Sequence, residues 1–424
     1  MIKTGSLEIN RSEKMFLNLS PFLMVVLAAS AAFAADPVLT ETTLFDAGAD
    51  GHKLYRIPGI VVTKAGTILV YCEARRNTGG DWDTIDLVLR RSTDKGATFS
   101  PPQIVGQITG GIRRNPVAIE RKQGTPEDVT YNNPVAIADR DGSVHFLFCL
   151  EYMRVFYMVS KDDGRTFSKP VEITHAFDTL RPGYNWRVVA TGPGHGIQLS
   201  SGRLVVPSWV ALGTEGNGHF PSADTTIYSN DHGKTWHVKG LAIPDSPAFP
   251  SANETVAVEL ADGSVMLNAR SPVKDNRRVI TVSKDGENGW SPPHFQADLP
   301  DPICMAGLVR FSTKKNGGKN RLLFSNPDNL ARDDGRDVVS KDRKNVTVRI
   351  SYDEGASWPI KRVLDPGPSG YSDLAVLPDG TALCFYEASR NGSSGAAAER
   401  LVLARFNLEW LTEGQDSISK KARK

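Results

Sequence analysis

The chain has 424 residues, with 50 Lys and Arg against 48 Asp and Glu for a formal charge of +2, and 40% of its residues are hydrophobic. That balance leaves no global field to attract nucleic acid or an anionic membrane surface, so any recognition of an anion has to be local. The 38 Gly and 26 Pro suit a turn-rich all-β chain with an ample core rather than a disordered one.

In chain order, Lys14 precedes an apolar run from Met15 to Leu27, and Ala32-Phe33-Ala34 forms a small-x-small cleavage pattern ahead of Ala35-Asp36. Residues 1–34 therefore read as an export signal, with Met15 as an alternative start, and the expected location is periplasmic or secreted. The run is too short and interrupted for a membrane span, and no integral membrane association is expected.

From about residue 37 to 412 the sequence reads as short β runs separated by Gly, Asp, Asn and Pro turns. Ile60-Val61-Val62, Thr67 to Tyr71, Val144 to Phe148, Arg203 to Pro207, Val265-Met266-Leu267 and Thr381 to Phe385 are the clearest strands. Five copies of one box run through them: Ser92-Asp94-Gly96-Thr98-Phe99, Ser160-Asp162-Gly164-Thr166-Phe167, Ser229-Asp231-Gly233-Thr235-Trp236, a degenerate Ser283-Asp285-Gly286 ending in Trp290, and Ser351-Asp353-Gly355-Ser357-Trp358. Their first serines are 68, 69, 54 and 68 residues apart, so one supersecondary unit is repeated. In each box the Asp side chain caps backbone N–H groups of a tight turn, Gly takes a positive φ and the aromatic tucks beneath. That is a structural role. Six repeats of about 60 residues predict an all-β, six-bladed β-propeller over residues 35–412, which buries such units while leaving few exposed edges.

The segment 109–131, with Arg113, Arg114 and Arg121, reads as a loop insertion, and residues 413–424, ending Lys420-Lys421-Ala422-Arg423-Lys424, as a solvated basic tail. Cys72, Cys149 and Cys384 lie inside apolar runs and Cys304 stands alone, which favours buried free thiols. Neither CxxC nor HExxH occurs and the eight histidines are scattered, so neither a metal nor another cofactor is expected. Composition leaves the oligomeric state open.

The residues between the boxes carry the chemistry. Tyr55-Arg56-Ile57-Pro58 near the start of the domain, followed by the repeated boxes, resembles the sialidase (neuraminidase) family of glycoside hydrolases, bacterial type, over essentially the whole of 35–412. Cys72-Glu73-Ala74-Arg75-Arg76 and Gly80-Asp81-Trp82-Asp83 are similar to the family stretch with a substrate-contacting arginine and the acid/base aspartate; spacing from Arg56 favours Arg75 and Asp81, with Asp83 and Asp86 as alternatives. Asn253-Glu254 and Leu267-Asn268-Ala269-Arg270-Ser271 match the glutamate and the next arginine. Ser325-Asn326-Pro327 leads to Arg343, preferred over Arg349, and Ser369-Gly370-Tyr371-Ser372-Asp373-Leu374 matches the loop with the nucleophilic tyrosine. Gly194-His195-Gly196 is also family-like, without an assigned role.

The resemblance implies an exo-α-sialidase acting on sialylated glycoproteins, glycolipids or oligosaccharides. Arg56, Arg75, Arg270 and Arg343 would bind substrate, and Asp81, Glu254 and Tyr371 would be catalytic. Arginines offer bidentate donors to the carboxylate on the anomeric carbon of a sialic acid. The same carboxylate disfavours a carboxylate nucleophile, since like charges 4 Å apart cost roughly 4 kcal/mol at an effective dielectric near 20. A neutral tyrosine deprotonated as it attacks avoids that repulsion and gives retention through a tyrosyl-enzyme. Transfer to an acceptor, formation of an anhydro sugar, action on a related nonulosonic acid, and a non-catalytic glycan-binding propeller are the competing readings.

Overall fold

The computed structural model describes residues 36–77, 79–389 and 399–418, all within the unit Ala35–Lys424. The expected export signal and the run Lys420–Lys424 lie outside the described residues. Strands dominate, with helix confined to short turns such as Pro116–Glu120 and Leu408–Leu411.

Successive strands pair antiparallel into sheets, and the sheets pack face to face in a ring. The first has four strands, Leu54–Val62, Ile68–Arg75, Ile85–Ser92 and Gln103–Val105. Its Leu69, Tyr71, Leu87 and Leu89 lie against Val144, Phe146 and Phe148 of a five-stranded second sheet. That sheet meets a five-stranded third through Leu147, Val188, Leu204 and Ile227, and the third meets a four-stranded fourth through Val205, Tyr228, Val265 and Leu267. The fourth packs on the last through Val256, Met266, Leu308 and Phe324, and the last returns to the first through Leu383, Phe385, Ile68 and Val70. A ring of sheets closed on itself by apolar faces is a propeller arrangement.

Six separate four-stranded blades do not appear among the described residues. Four sheets are blade-sized, and the last is a single seven-stranded sheet running from Gly307–Ser312 to Leu39–Asp46. The cause is one 17-residue strand, Ile360–Val376. Its first part pairs with Lys344–Ser351 and its second with Ala382–Ala388, across register shifts near Pro368 and Ser369. The ring is joined where Leu39–Asp46, the first strand, pairs with Arg400–Phe406, the last.

The boxes behave as their sequence dictates. Asp162 Oδ1 accepts from Thr166 N at 2.8 Å and Ser160 Oγ from Gly164 N at 2.8 Å, and the same bonds recur at Asp94, Asp231 and Asp353. The degenerate copy substitutes Ser283 Oγ donating to Asn288 O at 2.5 Å. Every box follows the third strand of its repeat, as Ser92 ends Ile85–Ser92, and Asp81 lies just before that strand begins. An eight-residue strand spans about 25 Å, so the boxes sit at the opposite end of the sheets from Asp81.

One local expectation changes and another gains detail. The segment after Thr412 is not solvated throughout, because Asp416 is buried and accepts from Arg321 Nε at 2.7 Å and Nη2 at 2.8 Å. The 109–131 insertion is anchored by buried Arg114, which pairs with Glu151 at 3.0 Å. All four cysteines are buried and unpaired.

Candidate active site

The strand Leu54–Val62 breaks register between Arg56 and Gly59, where Ile57 takes φ 61 and Pro58 cannot donate to the ladder. The break sits where Arg56 reaches the mouth of the ring. Buried Glu387 holds Arg56 there, accepting from Arg56 Nε at 3.1 Å and Nη2 at 3.3 Å. The same carboxylate accepts from Ile57 N at 3.1 Å and Tyr371 N at 3.0 Å. Gly370 makes that possible, since a Cβ there would lie 2.2 Å from Glu387 Oε2.

Tyr371 lies within the strand Ile360–Val376 rather than in a loop, and its phenol is buried. Its Oη donates to Glu254 Oε1 at 2.5 Å and accepts from Arg270 Nη1 at 2.8 Å, while Arg270 also pairs with Glu254 Oε2. Glu254 sits at φ 44, left-handed for a non-glycine, beside a register shift between Asn253 and Val256. The guanidinium carbons of Arg56 and Arg343 lie 5.0 and 5.2 Å from the centre of the Tyr371 ring. Arg343 is tied back by Nη2 donating to Ile303 O at 2.5 Å.

Asp81 faces this group from the first sheet, with its side chain about a third exposed (36%). Its Oδ1 accepts from Arg75 Nη1 at 2.9 Å and lies 3.9 Å from Arg56 Nη1. Six of the seven expected residues, Arg56, Asp81, Glu254, Arg270, Arg343 and Tyr371, line one cleft of about 360 Å³. Arg75 does not line it. It is buried behind Asp81 and gives its Nε and Nη2 to Glu73 Oε2 at 3.1 and 2.7 Å. The alternatives are placed elsewhere: Asp83 caps the amides of Asn77 and Gly79, Asp86 pairs with Arg76 and His52, and Arg349 pairs with Asp328 at 2.8 Å.

Residues 119–384 match the BNR repeat-like domain family. The chain is 31% identical over 405 residues to a sialidase of Micromonospora viridifaciens, covering 89% of this chain and 55% of that protein. It is 31% identical over 364 residues to a sialidase of Bacteroides fragilis, covering 81% and 61%. The chain thus spans little more than half the length of these curated relatives. The solved Hadza microbial sialidase Hz136 superposes with a TM-score of 0.69 at 25% identity, covering 88% of this chain and 69% of that one. The chain belongs to the BNR repeat-like domain family.

In the cleft of this BNR-repeat chain the charges are arranged against one another. Burial, and then the Glu254 carboxylate, push the Tyr371 phenol well above its ordinary value, opposed by Arg270, Arg343 and Arg56. Burial would raise the Asp81 carboxyl, but the charges of Arg75 and Arg56 and the Arg75 hydrogen bond outweigh it and hold the group below the usual carboxylate range. Burial likewise works against the charge of Arg270, and Glu254 and Tyr371 more than restore it. An anion placed among Arg56, Arg270 and Arg343 would meet three permanent cations, and Tyr371 would face it with its proton already shared toward Glu254.

Sequence reasoning missed Glu387 and the residues around Asp81. A lone carboxylate closing the apolar run Ala382-Leu383-Cys384-Phe385-Tyr386-Glu387 was the available signal for the first. Asn217 and His219, on a hairpin tip, and Tyr152 and Trp209 also line the cleft, and no local pattern marks them.

Proposed function

We propose that the chain is an exo-α-sialidase that removes terminal sialic acid from glycoconjugates with retention of anomeric configuration. The observation that carries this reading is the 2.5 Å bond from Tyr371 Oη to Glu254, with Arg270 on the same oxygen and Arg56 and Arg343 beside the ring. Arg56, Arg270 and Arg343 receive the sugar carboxylate. Tyr371 Oη attacks the anomeric carbon as its proton passes to Glu254, and Asp81 gives a proton to the departing glycosidic oxygen. Water then attacks the tyrosyl-enzyme, losing its proton to Asp81, and Tyr371 leaves with the proton returned from Glu254. The arriving carboxylate offsets the cationic field that keeps Asp81 ionised in the free cleft, so the acid form becomes accessible on binding. Arg75, behind Asp81, orients that carboxyl.

The seven-stranded sheet supports counting two blades in it, six in all, because Leu323, Val346 and Val348 of one half pack on Leu374, Cys384 and Val402 of the other. No helix among the described residues is long and apolar enough to cross a membrane. Export with cleavage after Ala34 completes the reading, and the mass of the mature protein checks it.

The test is release of the fluorophore from a 4-methylumbelliferyl sialoside, with the products identified by mass spectrometry. Wild type should release it and Tyr371→Phe should not. Full activity of Tyr371→Phe overturns the tyrosyl route, and no release by wild type overturns hydrolysis.

A further inference from the structure

Asp81 has to be an acid in one half-reaction and a base in the next, and its two oxygens are held differently. Oδ1 turns into the protein toward Arg75. Oδ2 accepts from Asn217 Nδ2 at 3.3 Å, across 136 residues of sequence. Asn217 is at the tip of the hairpin joining Leu204–Glu215 to Phe220–Ser229.

That tip is fixed from several sides. The Trp82 indole N–H donates to Asn217 O at 2.8 Å, so the residue after Asp81 holds the backbone that presents the amide. Gly218 has φ 93, and a Cβ on it would lie 2.7 Å from Val117 Cγ1, on the helix Pro116–Glu120 of the 109–131 insertion. From the other side Arg114, paired with Glu151, donates to Trp82 O at 2.6 Å. The insertion and the hairpin therefore grip Trp82 together.

The amide orientation is set as well. Asn217 Nδ2 also reaches His219 Nδ1 at 3.3 Å, and Asn217 Oδ1 accepts from His219 N at 3.4 Å. The His219 ring packs among Trp82, Tyr152 and Trp209, with centroids 5.5, 4.6 and 5.3 Å away. Burial there pushes its pKa down to about 4, against the pull of Asp81 and Glu254, so the imidazole is neutral. The backbone N–H of His219 can only donate, which puts Asn217 Oδ1 on that side. The NH2 end of the amide must then face Asp81, where it donates and cannot accept.

We propose that Asn217 is a positioning residue that favours the ionised form of Asp81, serving the half-reaction in which Asp81 is the base. The inference rests on the acid/base reading of Asp81. The other groups facing that carboxyl are Arg75 and Arg56 from the first sheet, His219 from the hairpin, and Glu73 and Tyr152 beneath. A neutral donor on a carboxylate oxygen favours the anion. Removing it therefore helps proton donation to a poor leaving group and weakens activation of water.

The experiment compares wild type with Asn217→Leu and Asn217→Asp, the second keeping the shape of the side chain in case the first disturbs the tip. The alkaline limb of kcat for sialyllactose, which reports Asp81 in the substrate complex, should move up by about 0.5–1 pH unit in Asn217→Leu and further in Asn217→Asp, where a like charge adjoins Asp81. The fraction of enzyme trapped as covalent intermediate by acid quench, read by intact mass, should rise several-fold with the 4-methylumbelliferyl substrate. An unmoved limb, or a loss equal at every pH with no extra intermediate, overturns the proposal and leaves Asn217 a structural residue. If wild type itself releases no sialic acid, the reading of the cleft has failed, and with it the premise for Asn217.

Discussion

Replacing Glu254 by Gln removes one charge and little volume at the centre of the cleft. Ionising a phenol of ordinary pKa near 10 at pH 7 costs about 4 kcal/mol, and burial with the neighbouring carboxylate pushes Tyr371 higher still. Tyr371 cannot attack as a pre-formed phenolate at that cost. In the proposed route Glu254, 2.5 Å from Oη, avoids it by taking the proton as the bond forms. A positioned general base contributes about 10²–10⁴ in rate, roughly 3–5 kcal/mol, so kcat for the 4-methylumbelliferyl sialoside should fall by that factor. KM should not rise, because Arg270 is released from its carboxylate partner and remains free for the substrate. Steady-state kinetics at the wild-type optimum measure both terms. A kcat within tenfold of wild type, or a loss confined to KM, would refute the argument.

Glu387→Gln leaves Arg56 buried without its counter-charge; truncating one partner of a buried pair costs about 3–5 kcal/mol, and denaturant unfolding should show about 3 kcal/mol with one acceptor retained. A loss under 1 kcal/mol would mean that Arg56 finds another anion. Gly370→Ala places a methyl 2.2 Å from Glu387 Oε2, so overpacking should cost about 1–3 kcal/mol and kcat/KM should fall at least about tenfold, measured on the same substrate. Asp162 and Asp231 are both held at about 2, the first chiefly by its Thr166 hydroxyl, the second by Thr235 bonds that overcome burial. Depressed carboxylates stabilise the fold above their unfolded value near 4, and that contribution is lost as pH falls toward 2. Melting temperature should therefore drop across that window, less steeply in the Asp162→Asn, Asp231→Asn double variant, whose kcat at pH 6 should match wild type.

The parts of the molecule that could be read in advance are those whose hydrogen bonds are local. A box is legible because Asp162 finds Thr166 four residues on, and the mouth residues because Arg56, Glu254 and Tyr371 each stand in a short recognisable run. Glu387 was silent because its partner Arg56 is 331 residues away, and Asn217 because it acts across 136. The seven-stranded sheet was hidden for another reason. Asp365-Pro366-Gly367-Pro368 reads as a strand breaker, yet the strand continues through it with a register shift. Arg321–Pro327 went unmarked because the turn before it, Lys314–Gly317, is helical and rich in lysine. Arg75 was recognisable as part of the site, but whether it faces ligand or braces Asp81 depends on Glu73, which claims its guanidinium from behind.

The pairing of the first strand with the last fixes an order in time. Leu39–Asp46 leaves the ribosome well before its partner Arg400–Phe406; Val38 and Asn407, which bond at 2.9 Å, are 369 residues apart. At 5–20 residues per second the interval is roughly 20–70 s, throughout which an unpaired edge strand is available to other chains. The ring therefore cannot close before that last strand has been made, and a chain lost before residue 400 is an open arc with two exposed edges.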